Sequence, residues 1–210
     1  MAIEHTRQHA LVPLVAAILI AVLAVGVSRP VLADHLVTFG SSTCGDPPGQ
    51  TPRNCISVGD NSTHYVYLIS VGTGYTNAII NTMNGDYGPT DLTMVRLTQN
   101  SGTDVQVLDD DYGITNVAGW VECPTWAPQG TNAHGDRWCK FQYLRFNLNA
   151  AVQSYWIDAG SRAYMACHEM GHTLGLWHRA SNTSSCMIPD VPNGPTNLDG
   201  TDTAELNNYY

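Results

Sequence analysis

The sequence predicts an α+β domain, and three observations carry that expectation. Runs rich in aromatic and β-branched residues recur between about 64 and 149, the signature of half-buried strands. From about Ser161 the apolar period changes, with Ala163, Cys167, Met170 and Leu174 recurring at helical spacing. The elements follow one another as strand, helix, several strands, helix and an irregular tail, rather than as a strict βαβ alternation.

"HYVYLISV" (64–71) is the first strand, and "YTNAIINTMNG" (75–85) reads as a short helix ending at Gly85. "DLTMVRLT" (91–98) and "DVQVLDD" (104–110) are two further strands, with "QNSG" as the turn between them. "NVAGWVE" (116–122) is a weaker fourth strand whose Gly119 suits a sheet edge. The Pro-, Gly- and Trp-rich segment from Cys123 to Cys139 reads as a loop. In "KFQYLRFNLN" (140–149), the fifth strand, Phe141, Tyr143 and Leu148 set the alternation and Leu144 interrupts it. The long helix ends at Gly175, a glycine placed to take a left-handed conformation. A short helix over Thr201 to Tyr209 closes the domain.

The N-terminus stands apart. A start carrying Arg7, an apolar run from Leu11 to Val27 and small or apolar residues at Val31 and Ala33 have the layout of a secretory signal, cleaved after Ala33. The rival is an uncleaved anchor, but the run is shorter than the roughly 20 residues a span needs, and Pro13 lies in it. The expected organisation is signal 1–33, an irregular segment 34–62 and a catalytic domain 63–210, secreted as a monomer without stable membrane association.

The chain carries 9 Lys+Arg against 18 Asp+Glu, a net charge of −9, and loss of the signal makes the balance more acidic. That argues against nucleic acid or an anionic membrane as partner. Six cysteines suit an oxidising compartment. They allow fifteen pairings. Proximity in the chain favours Cys44 with Cys55 and Cys123 with Cys139, leaving Cys167 and Cys186, either bonded or as buried thiols.

"CHEMGHTLGLWH" (167–178) carries the chemistry. His168 and His172, four apart on a helix, reach one metal ion from the same side. A third ligand must approach from elsewhere, so the chain has to leave the helix first. Gly175 permits the turn and His178 follows three residues on. Three nitrogens plus one open position describe a catalytic zinc site. Glu169 adjoins the first ligand and can act as general base without joining the coordination shell.

"HEMGHTLGLWH" resembles the zinc-binding motif of the metzincin metalloendopeptidases. Met187, nine residues after His178 in "SSCMIPD", matches that family's methionine turn, and Pro189 shortly after it fits the matrixin-like branch. A proline there excludes the tyrosine that acts as an extra ligand in other branches. "TNLDGTDTAELNNYY" is similar to a matrixin terminal helix.

The resemblance implies a twisted, mostly parallel sheet with an active-site helix, above a small irregular C-terminal subdomain. A peptide or protein substrate would add to the edge strand "NVAGWVE", and residues 179–196 would line the pocket beyond the scissile bond. It also implies Met187 as a structural methionine and brings Cys167 next to Cys186, where a disulfide would stiffen the floor of the site. Glu169 is then the catalytic base, with His168, His172 and His178 as the zinc ligands.

Other signals are weaker. "TCGDPP" around Cys44 faintly resembles an inhibitory propeptide cysteine, and "AHGD" with His134 and Asp136 a fragment of a structural-zinc loop. "LDDDYG" offers oxygen ligands for Ca2+ but lacks a recognisable calcium spacing. Trp120, Trp126 and Trp138 belong to the core or to the cleft, and Asn61 and Asn182 head glycosylation sequons. Two readings of other classes stand beside the peptidase: a zinc-binding, non-proteolytic or toxin-like module, and a zinc hydrolase of non-protein substrates.

Overall fold

The computed structural model describes residues 58–115, 117–126, 139–180, 183–189 and 192–210. The chain divides into compact units Met1–Leu32 and Ala33–Tyr210, and all described residues belong to the second. The expected signal, Cys44, Cys55, His134, Asp136, Trp138 and Asn182 lie outside the described residues.

Five strands form one sheet in the order β2-β1-β3-β5-β4. They are β1 (Thr63–Ser70), β2 (Thr93–Leu97), β3 (Val105–Asp110), β4 (Gly119–Trp126) and β5 (Cys139–Asn147). All pairings are parallel except β4 with β5, so the sheet is mostly parallel and β4 is an edge. The fourth strand runs further than its sequence signal, because pairing with β5 extends it to Trp126, into the segment read as a loop.

The "QNSG" segment joins two strands that are not neighbours. β2 and β3 flank β1 on opposite sides. Val66 of β1 pairs with Arg96 of β2 and with Val105 of β3, so β3 begins at the level where β2 is ending. The connection therefore crosses β1 part-way along its length and needs no long return, which is how a short segment serves two parallel strands.

The phase of β5 is the reverse of the expected one. Gln142, Leu144 and Phe146 are buried, whereas Phe141 and Tyr143 are half-buried on the other face. The polar Gln142 takes an inward position because its amide donates to the Thr173 carbonyl at 2.8 Å, a partner far along the chain.

Helix α1 (Thr73–Thr82) turns Tyr75, Ala78, Ile79 and Thr82 inward. Gly85 does not end it; the helix continues as a π-helical turn over Met83–Tyr87. The wider turn keeps both Met83 and Tyr87 buried, and Tyr87 Oη donates to the Cys167 carbonyl at 2.8 Å. A short helix absent from the sequence reading, α2 (Ala150–Gln153), follows β5 and is capped by Asn149.

The long helix α3 (Ala159–Thr173) starts at Asp158, whose carboxylate accepts the Ser161 N–H at 2.9 Å. Every residue from Tyr164 to Thr173 is buried, so α3 is a central helix and not a surface one. It packs on α1, β4 and β5; Tyr75 Oη of α1 donates to Met165 Sδ, and Met165 Cε lies close to Gly119 of β4. Terminal helix α4 (Gly200–Tyr209) opens with a capping box between Asp199 and Asp202.

Candidate metal centre

Two of the candidate ligands, His168 and His172, come from α3 and the third, His178, from the chain just beyond it. The helix ends in a Schellman arrangement: Leu176 N–H donates to Gly171 O at 2.9 Å and Gly175 N–H to His172 O at 3.4 Å. Gly175 has φ 91°, a conformation that L side chains avoid. The reversal carries His178 back over the helix end.

The Nε2 atoms of the three histidines converge. His168 and His172 are 3.0 Å apart, His172 and His178 3.1 Å, and His168 and His178 3.2 Å. Nitrogens about 2.0–2.1 Å from a tetrahedral ion stand about 3.3 Å from one another, so the triangle fits one metal with a coordination position left over. Among the described residues this is the one cluster of three or more metal-ligating side chains.

The opposite ring nitrogens fix the tautomers. His168 Nδ1 lies 2.8 Å from the Cys186 carbonyl and His172 Nδ1 2.8 Å from the Leu176 carbonyl. A carbonyl only accepts, so both Nδ1 atoms carry the proton. Burial holds the rings neutral: it pulls His168 down to about 4 and His172 well below the usual imidazole value. Two Nε2 lone pairs therefore face each other at 3.0 Å, an arrangement that repels itself and suits a cation.

This neutrality has a measurable consequence. Protons compete for the ligands only where the imidazoles titrate, and that point is displaced from the ordinary 6.5 towards 4. Metal content, followed by equilibrium dialysis from pH 7 downwards, is expected to be retained at pH 6 and lost as pH falls towards 4. Release complete by pH 6 would contradict the buried, neutral pair.

Glu169 is 7% exposed, and its side chain lies against Gly119 at the start of β4. Met187 is fully buried against α3, where Gly171 leaves room for its thioether. A disulfide joins Cys167 to Cys186, so the residue before His168 is bonded to the residue whose carbonyl orients the His168 ring. A second disulfide joins Cys123 and Cys139, and no described cysteine is free.

One part of the site has little signal in the sequence. Arg179, next to His178, pairs with Asp202 at 3.0 Å and Asp199 at 3.2 Å. Buried Ser185 donates to Asp202 and accepts the Met187 N–H at 2.8 Å, while Arg179 N–H donates to Met187 O. Helix α4 thus holds both Arg179, next to His178, and the segment around Met187.

The weaker candidates separate from the site. Asp109 accepts Gly72 N–H, Asp110 accepts Asp111 N–H, and Asp111 accepts Gly113 N–H and the Asn149 amide, so these carboxylates brace local turns. Trp120 is buried, its indole donating to Glu122 at 2.7 Å. No described helix is long and apolar enough to cross a membrane.

No family model matches the chain, and no curated protein matches it. Among solved structures, that of myroilysin aligns with 71% of this chain and 92% of its own length, at 10% identity and a TM-score of 0.43. The site stands on its own geometry.

Proposed function

We propose that the chain is an exported zinc endopeptidase of metzincin type, in the matrixin-like branch. The observation that carries this reading is the convergence of three Nε2 atoms within 3.2 Å, two of them held as neutral ligands by backbone carbonyls. The carboxylate neighbour Glu169, the buried Met187 and an edge strand beside α3 support it. The two disulfides and the signal-like N-terminus support export.

His168, His172 and His178 would hold the ion. Zinc held there would supply Lewis-acid chemistry to a substrate carbonyl and make water a better nucleophile near neutral pH. Glu169 takes the proton from the attacking water on its carboxylate and returns it to the leaving amine. The edge strand β4 binds an extended peptide by backbone hydrogen bonds, with side chains alternating above and below it. Met187, Ser185 and Arg179 keep the floor and the third ligand in place.

The test is hydrolysis of a reduced, alkylated protein by the chain freed of residues 1–33. Cleavage is expected, to be abolished by a zinc chelator and restored by added zinc. A folded, zinc-loaded chain that leaves the substrate intact would instead favour a binding module.

A further inference from the structure

Gly119 is the first residue of β4, paired opposite Phe146. A glycine in a strand weakens it and calls for a reason. Backbone conformation is not that reason: positive φ among glycines occurs at Gly102, Gly113 and Gly175 only, of the described residues. Space is. A Cβ on Gly119 would stand 3.0 Å from Glu169 Oε1, 3.0 Å from Glu169 Cγ and 3.1 Å from Met165 Cε. Carbon atoms in good contact sit about 3.5–4.0 Å apart, so the added methyl would push its neighbours away.

Helix α3 is poorly placed to yield. Its Cys167 carbonyl is held by Tyr87 and its Cys167 side chain by the disulfide. Glu169 and Met165 are both buried. The displacement therefore falls on side chains, those of Glu169 and Met165, and Glu169 takes two of the three closest contacts.

We infer that Gly119 is a positioning residue for Glu169: its bare Cα sets how deeply the carboxylate lies against the edge strand, and so where the proton acceptor stands. The inference rests on the reading of Glu169 as general base. It assigns Gly119 no contact with substrate or metal.

The experiment compares wild type, Gly119→Ala, Glu169→Asp and the double variant for zinc content, melting temperature, KM and kcat. Gly119→Ala is expected to keep its zinc and its melting temperature, hold KM within about twofold and lose kcat by about tenfold or more. Aspartate is one methylene shorter and withdraws the carboxylate from β4. In that background the added methyl is expected to cost less than about twofold, a non-additivity that reports direct contact.

Full kcat in Gly119→Ala overturns the inference, as does an equal loss in both backgrounds. If the single variant fails to fold or to hold zinc, recovery in the double variant supports the contact, and failure of both makes Gly119 structural and overturns it. A zinc-loaded wild type without hydrolysis overturns the peptidase reading itself, and this inference with it.

Discussion

Replacement of Glu169 by alanine is expected to leave the metal bound and to lower kcat by about 10²–10⁴-fold. The three histidine nitrogens converge without Glu169, so the ligand set survives the change. Alanine is the best helix former, and α3 keeps its backbone bonds. What disappears is the carboxylate proposed to accept and return the proton. The check is kcat on a peptide substrate with zinc content measured on the same sample. Zinc lost together with activity would make Glu169 a ligand, and activity retained would hand the base to another group.

The second large effect is expected from removing the Cys167–Cys186 disulfide by serine at both positions. The bond closes a loop of sequence separation 19, and loss of such a constraint costs about 3 kcal/mol. A second consequence is specific to this site. The Cys186 carbonyl holds His168 Nδ1, and outer partners of this kind are worth about 10–100-fold in metal affinity. Denaturant unfolding of the metal-free protein measures the first term, and competition with a chelator measures the second. Lower stability with unchanged zinc affinity would show that the disulfide closes a loop and does not orient the ligand.

The three-histidine group was legible in the sequence because its spacing is dictated locally. Four positions on a helix put His168 and His172 on one side, and a glycine that tolerates φ 91° returns His178. The edge placement of "NVAGWVE" was legible for a similar reason, a glycine in a weak strand. What could not be read depends on partners distant in the chain. Gln142 points inward because Thr173 offers a carbonyl, and the phase of β5 follows from that bond. The path from β2 to β3 follows from the stagger of both strands on β1, a register no turn sequence encodes. The π-helical turn exists because Met83 and Tyr87 both have room in the core, so Gly85 lost its role as a stop. Ser185, Arg179 and Asp202 meet only after α4 has docked.

The ligand set is compact along the chain: the first and last histidines are ten positions apart. Closing so short a loop costs little chain entropy, whereas β4 must come from some fifty residues upstream and pair with β5. The three-histidine group therefore rests on one helix and one turn, whereas the surroundings of Glu169 also depend on the pairing of a strand distant in the chain.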